Sequence, residues 1–441
     1  MKPRVALISF GCAKNLVDSE VMLGLLKRAG YSFTANPSAA DIVILNTCGF
    51  IQPARDEAQA AIRGAVRLKR SDPNKRVVVA GCTVRRNREA LAHSYPQVDD
   101  WLDVTEFDRI VPTLENRRPG RRPRETFLYS HLSPRVVSTP KGWAYVKVSE
   151  GCSHRCAFCS IPLIKGPYRS RPIASIFEET RELAGRGVKE INIVSQDTTY
   201  YGRDFGWKDG LARLLQKLVT VRSVAWIRLL YGYPEEVHDS LLEIMQDKKL
   251  CPYFDLPFQH ADGRLLRRMG RGMDADRGLK LIDKIRTRIP EASLRTSLIV
   301  GFPGEGPAEF LRLERFVRKA AFDHLGVFTY SPEEGTAAFR LRDSVPEFIK
   351  QRRRNRLMKL QAEISRGRNQ KFRGRTVEVL LDRLAPRDPC LALGRTRFQA
   401  PEVDGIVRVR SPRPVAGLLH AVHRVEITAA GVYDLRGNLV E

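Results

Sequence analysis

"EGCSHRCAFCSIP", residues 150–162, sets three of the chain's eight cysteines in one loop, spaced Cys152-x3-Cys156-x2-Cys159. The loop follows "WAYVKV" (143–148), which reads as a strand, so the thiols sit beyond a strand end. The start of the chain, "MKPRVALISFGC", has a short apolar run and no cleavage site, and reads as another strand. No apolar run reaches the ~18 residues that a membrane helix needs. These features predict a cytoplasmic protein with no membrane partner. Its clustered cysteines are then reduced, and hold metal or carry redox chemistry.

A Cys-x3-Cys-x2-Cys loop supplies three thiolates to one 4Fe-4S cluster and leaves one iron open. An open iron can bind the amino and carboxylate groups of S-adenosylmethionine and pass an electron to its sulfonium. The cofactor is thereby cleaved to a 5′-deoxyadenosyl radical. Phe158, just before the last thiol, is placed to pack beside the adenine. The structural alternative is zinc, which normally takes four protein ligands. His154 could be the fourth, but it lies inside the loop, where the geometry is poor.

Outward from this loop the chain divides into three regions. Residues 1–118 alternate strand and helix patterns: "RVALISFG", "DIVILNTCGF" and "RVVVAGCT" are strands, with helical "NLVDSEVMLGLLKRAG" and "ARDEAQAAIRGAVRLKR" between them. This predicts an N-terminal parallel α/β domain. Each strand runs into a cysteine: Cys12, Cys48 and Cys82. Ligands of open α/β sheets sit outside the carboxyl ends of the strands, so these three thiols should converge at one edge. Buried small hydrophobes are the bland alternative for any one of them. A Pro-, Gly- and Arg-rich linker is expected over 119–138. Residues 139–370 repeat the rhythm through "EINIVSQD", "AWIRLLYG", "YFDLPFQ", "SLRTSLIVGFPGE" and "HLGVFTYSPEEG", predicting a full or partial α/β barrel. Residues 371–441 read as short strands and turns, a small antiparallel β-barrel. Cys251 and Cys390 read as structural or incidental.

The formal net charge is +25. The runs "QRRRNRLMKLQAEISRGRNQKFRGR" (351–375) and "NRRPGRRPR" (116–124) concentrate it and favour a polyanionic neighbour over evenly solvated faces. Gln196 and Asp197 in "SQDTTYYG" end a barrel strand, where they contact a cofactor or substrate, or simply open a helix. Gly301 and Gly304 in "GFPGE" let backbone approach a cofactor, or make a tight turn. Arg228, near Tyr231, pairs with a ligand carboxylate or with a barrel-rim acid.

The stretches "GCAKN", "LNTCGF", "VAGC", "SEGCSHRCAFCSIPLIKGPYRSRP" and "SLIVGFPGE", with the C-terminal barrel, resemble the methylthiotransferases of the radical S-adenosylmethionine superfamily over nearly the whole chain. The resemblance implies a radical-SAM barrel, a C-terminal TRAM domain of OB-like form, and two 4Fe-4S clusters. Cys152, Cys156 and Cys159 would hold the radical cluster, and Cys12, Cys48 and Cys82 a second one with its own open iron. One S-adenosylmethionine would supply a methyl group to sulfur on the second cluster, and another would be cleaved at the first. Two branches of the family differ in substrate. One methylthiolates an adenosine in transfer RNA, the other the β-carbon of an aspartate in ribosomal protein S-twelve. The transfer-RNA branch typically carries Gln-Ser-Gly where this chain has Gln259, His260 and Ala261. "RLLYGYPEEV", "YFDLPFQHAD" and "RTRFQAPEVDGIVRV" are similar to the protein-modifying branch, with an acidic loop at Glu402 and Asp404. An acidic loop suits a basic protein better than RNA. Nearby ribosomal RNA would account for the positive charge, and an electron donor is required. A metal-stabilised RNA-binding module without catalysis is the non-enzyme alternative.

Overall fold

Strand β1 (Arg4–Ser9) buries Val5 and Ala6 in two different apolar clusters, because successive strand side chains point to opposite faces. In the computed structural model, which describes residues 2–117, 125–342 and 345–440, this strand starts a parallel sheet. Most of the basic run 116–124, and the start of the expected linker, lie outside the described residues. In chain order there follow α1 (Ala13–Arg28), β2 (Ser32–Phe33), β3 (Ile42–Thr47), α2 (Gln52–Ser71), β4 (Arg76–Gly81), α3 (Cys82–Ser94), β5 (Asp100–Leu102) and α4 (Ile110–Leu114). The sheet order is β2-β1-β3-β4-β5. All six residues of β3 are buried, as expected of a central parallel strand covered on both faces. Ile44, Val78 and Phe107 pack on one face, and Val43, Val77 and Ile62 on the other.

The chain forms two compact units. The first contains residues 1–138, 147–176 and the short segment 333–336. It therefore includes, besides the sheet, the cysteine loop with its flanks: β7 (Ser149–Glu150), α5 (Ile161–Lys165) and β8 (Arg169–Ser170); of the preceding β6 (Trp143–Lys147), all but Lys147 belong to the second unit. The described part of the expected linker is docked against α1. The Glu20 carboxylate accepts from Ser138 N at 2.6 Å and from Arg135 Nε at 2.8 Å.

The second unit holds α6 (Ile173–Gly185, divided between the units), β9 (Glu190–Val194), α7 (Gly210–Leu218), β10 (Trp226–Leu229), α8 (Asp239–Ile244), β11 (Tyr253–Asp255), α9 (Gly263–Arg268), α10 (Ala275–Arg288), β12 (Ser293–Val300), α11 (Pro307–Ala320), β13 (His324–Thr329) and α12 (Glu347–Asn369). Its strands form two sheets, β10-β9-β6 and β11-β12-β13, linked by a parallel bridge between Ile227 and Leu250. This is the strand-and-helix arc of a partial α/β barrel. The chain ends in a closed barrel of β14 (Thr376–Ala385), β15 (Asp388–Thr396), β16 (Val407–Arg410), β17 (Val422–Ala430) and β18 (Leu435–Leu439), ordered β14-β15-β16-β18-β17. Its pairings are antiparallel except β16 with β18, which is parallel.

The basic segment 351–375 is less free than its composition suggests. Arg353 pairs with Glu305, Arg356 with Glu314, and Arg368 and Lys371 with Asp323. The helix α12 and the turn after it bring these side chains onto acids of their own unit, so part of the local positive charge is neutralised internally.

Candidate functional site

The three N-terminal cysteines lie at adjacent strand ends. Ser9 is in register with Asn46, and Thr47 with Gly81. Cys12 caps α1, Cys48 follows β3, and Cys82 opens α3. The strand ends come so close that side chains are excluded between them. A Cβ on Gly11 (φ +88°) would lie 2.6 Å from Cys48 Cβ and 3.0 Å from its Sγ. One on Gly49 would lie 2.8 Å from the backbone of Cys82 and Thr83. Polar side chains lock the edge. Asn46 Nδ2 donates to Asn15 O at 3.0 Å and Ser19 Oγ at 2.8 Å, Thr47 Oγ1 to Ala80 O at 2.6 Å, and Thr83 Oγ1 to Cys48 O at 2.7 Å.

All three thiols are free. Burial, then the neighbouring Cys12, raises the Cys48 thiol above its ordinary range. Burial pushes Cys82 up to about 12, against the pull of Lys165. Burial holds both thiols in the neutral form, and binding a metal centre such as an iron–sulfur cluster is what would draw them to thiolates. Among the described residues no three His, Cys, Asp or Glu groups stand close enough to hold a single metal ion. A four-iron cluster binds each thiolate at a different iron, so its donors stand wider apart than those of one ion.

The second set lies in the same unit. Between Glu150 and Ile161 the chain forms an irregular loop held from both sides. Cys152 N donates to Gly166 O at 3.0 Å, Cys159 N to Cys156 O at 3.1 Å, and Tyr168 N to Ser153 Oγ at 3.2 Å. Ser160 Oγ donates to Phe50 O at 3.1 Å, two residues past Cys48, which ties this loop to the first set. Cys152, Cys156, Cys159 and Phe158 are all half-buried, accessible to a ligand yet supported by backbone. Sequence reasoning missed a further tie. The buried Glu333 carboxylate accepts from Gln52 N at 3.0 Å and Arg86 Nη1 at 2.8 Å, and pairs with Arg55. It joins the helices that follow Cys48 and Cys82. An acid 281 residues from its partner Gln52 leaves no local signal.

In the other unit, the Asp197 carboxylate accepts from Thr199 N at 2.9 Å and Thr199 Oγ1 at 2.6 Å, the turn-opening role. Gln196 stays half-buried at the end of β9. Gly301 and Gly304 both have positive φ, and side chains there would run into Lys350 and Arg268. At Gly301 the stem of Lys350 stands in the way, whereas at Gly304 only the tip of Arg268 does and the positive φ is the constraint. Gln259 has φ +69° and bonds through its backbone to β12, while His260 is buried with Nδ1 accepting from Asp262 N at 3.0 Å.

Three family profiles match: Uncharacterized protein family UPF0004 over residues 4–103, the Radical SAM superfamily over 146–317, and the TRAM domain over 374–440. Curated relatives match from end to end. The ribosomal protein uS12 methylthiotransferase RimO of Aquifex aeolicus is 43% identical over 99% of this chain and 98% of its own. That of Solibacter usitatus is 43% identical over 99% and 95%. This chain belongs to the RimO family. Among solved structures, the radical S-adenosylmethionine methyltransferase TsrM from Kitasatospora setae superposes with TM-score 0.55 at 16% identity, covering 74% of this chain and 72% of that one. The cobalamin-dependent S-adenosylmethionine radical enzyme OxsB gives 0.51 at 12%, covering 76% and 54%. These likenesses concern the fold.

Within this RimO-family chain, two residues expected to face ligands, Asp404 and Arg228, are turned inward, and a third, Glu402, is hydrogen-bonded within the chain. Asp404 is not an exposed acid: its side chain is 1% exposed. The carboxylate accepts from Tyr253 Oη at 2.6 Å, Ala400 N at 2.8 Å and Arg295 Nη1 at 2.7 Å. Burial alone would raise its pKa, but His324 and Arg295 hold it below the usual carboxylate range. Glu402 is an exposed residue, and its carboxylate accepts from Tyr145 Oη at 2.9 Å. Arg228 is fully buried. It donates through Nε to Glu190 at 2.8 Å and through Nη1 to Arg397 O at 2.9 Å, and Arg395 shares the same Glu190 at 2.7 Å. The barrel-rim reading of Arg228 therefore holds, and the acidic loop of the TRAM domain grips its own α/β barrel. The sequence could not show this, because the partners lie 109 and 151 positions away.

No helix among the described residues is long and apolar enough to cross a membrane. Cys251 is buried, and burial raises its thiol to about 11, which suits a structural role.

Proposed function

We propose that this chain methylthiolates the β-carbon of an aspartate in ribosomal protein uS12 by radical S-adenosylmethionine chemistry. The observation that carries the reading is that both three-cysteine sets lie in one compact unit with their thiols outside disulfides; three thiolates on a four-iron cluster leave one iron open. End-to-end relatives named for uS12 support the substrate.

Cys152, Cys156 and Cys159 would hold one 4Fe-4S cluster, and Cys12, Cys48 and Cys82 the other. Bound there with S-adenosylmethionine, the clusters would supply the electron, the hydrogen-abstracting radical and the methylthio group. The chain's own part is positional. The half-buried Phe158 offers an apolar wall for the adenine, and Gln196 a polar contact at the barrel's strand ends. Gln259, held in a left-handed conformation, presents its side chain from the loop after β11, where His260 is already engaged. Glu402 and Asp404 hold the TRAM domain and are not proposed to touch substrate. The domain limits 1–118, 139–370 and 371–441 serve as the functional division, although the radical loop packs with the first of them. Nearby ribosomal RNA, an electron donor and a cytoplasmic setting complete the proposal.

The test is the mass of candidate substrates after anaerobic incubation with reductant and S-adenosylmethionine. Ribosomal protein uS12, free or in the small subunit, should gain one methylthio group in place of hydrogen. A gain on transfer-RNA adenosine with uS12 unchanged would replace this reading with the transfer-RNA one.

A further inference from the structure

Four charged side chains are buried together in the cysteine-bearing unit: Asp18, Lys147, Glu150 and Lys165, none more than 3% exposed. Lys147 Nζ lies 2.6 Å from Glu150 Oε2 and contacts Asp18. Lys165 Nζ lies 3.4 Å from Asp18 Oδ2 and 3.5 Å from Glu150 Oε1. Their places in the chain are specific. Asp18 is on α1, the helix that Cys12 caps. Glu150 stands two residues before Cys152. Lys165 ends α5, the helix after Cys159. Burying four charges is costly, and an apolar cluster of equal size would stabilise the fold as well or better. Such a node calls for a role beyond stability.

Lys165 differs from Lys147 in what it faces. It lies 5.7 Å over the Phe107 ring, and Phe107, Ile164 and Cys82 belong to one apolar cluster. The helix α5 packs on α3, which Cys82 opens. Lys147 instead sits 5.7 Å from the Tyr129 ring.

We infer that Lys165 is a positioning residue for the N-terminal cluster: a fixed positive charge, anchored by Asp18 and Glu150, that offsets the negative charge of the Cys12, Cys48 and Cys82 thiolates. It makes that cluster easier to reduce, while the node clamps the two cysteine loops together. The inference rests on the proposed cluster assignment. A cationic neighbour in a low-dielectric interior stabilises the more negative, reduced state of a cluster.

The experiment uses the full chain with Cys152, Cys156 and Cys159 replaced by Ala, reconstituted anaerobically with iron and sulfide, so that only the N-terminal cluster reports. Its reduction is followed by electron paramagnetic resonance in a potentiometric titration. Lys165→Met should lower the reduced-to-oxidised ratio at fixed potential by about tenfold, a shift of ~59 mV for a one-electron couple. Lys165→Arg should restore most of it. Glu150→Gln, which removes an opposing negative charge, should shift the couple the other way. If Lys165→Met fails to take up iron, the Glu150→Gln shift decides alone. An unmoved potential in a fully loaded Lys165→Met protein, or a Glu150→Gln shift to lower potential, would overturn the inference and leave the cluster assignment standing. Absence of any cluster in the parent would sink both.

Discussion

The two cysteine sets meet the same chemical demand by opposite routes. Cys152, Cys156 and Cys159 come from one loop that is held by its own flanking backbone, from Gly166 O to Cys156 O. Cys12, Cys48 and Cys82 come from three strand ends, and their proximity depends on the whole sheet being in register. A loop can be built locally and pays little for error. A set assembled across a sheet is only as accurate as the strand packing, which explains Gly11, Gly49 and the Asn46–Ser19–Asn15 lock around it. The N-terminal set should therefore be sensitive to small changes at positions that bind nothing, and the loop set should not.

The sharpest break of this comparison is Gly11→Ala. The added methyl meets Cys48 Cβ and the residue must keep a left-handed φ. Iron and sulfide analysis should show loss of about one of the two clusters, while the radical cluster, judged by reductive cleavage of S-adenosylmethionine, persists. Loss of both would mean the two sets are not independent. Next in size is Glu190→Gln, which tests the tie between TRAM domain and barrel. It leaves Arg228 and Arg395 buried without their shared carboxylate. A loss of about 3–5 kcal/mol in denaturant unfolding is expected, with both clusters still able to form.

Acid should act on the same tie. Asp404 has a folded-state pKa depressed below its unfolded value, so its contribution is present above the unfolded pKa, near 4, and fades as pH falls through the folded one. Unfolding midpoints should drop with falling pH below about 4, and Asp404→Asn should flatten that part of the profile. A profile unchanged by Asp404→Asn would contradict the inward reading of the loop. The smallest effect belongs to Glu402→Ala, which removes one hydrogen bond from Tyr145 and should cost about 1 kcal/mol. If uS12 binding instead fell steeply while stability stayed the same, the loop would be a substrate contact after all.

The same contrast governs what could be read in the sequence. The cysteine loop is legible as spacing alone. The N-terminal set is legible one step further, because "RVALIS", "IVILNT" and "RVVVAG" are strands that each run into a cysteine, as β1, β3 and β4 show. What could not be read is which charged letters turn inward. Asp18, Glu150, Lys147 and Lys165 have surface-like composition and buried positions. Asp404, Arg228 and Glu333 find partners far along the chain. Long-range pairing of this kind carries no period and no local motif. The edge strands β2 and β5, of two and three residues, are too short for any pattern to declare them.

The central claim is that the two sets have separate tasks, and it is tested by scoring two products in one reaction. Full-length protein with Cys12, Cys48 and Cys82 all replaced by Ala, and protein with Cys152, Cys156 and Cys159 replaced, are each reconstituted and incubated with S-adenosylmethionine, reductant and uS12. Chromatography measures 5′-deoxyadenosine, and mass spectrometry measures methylthiolated uS12. The first variant should still form 5′-deoxyadenosine and give no methylthio product, and the second should form neither. Methylthiolated uS12 from the first variant would contradict the account.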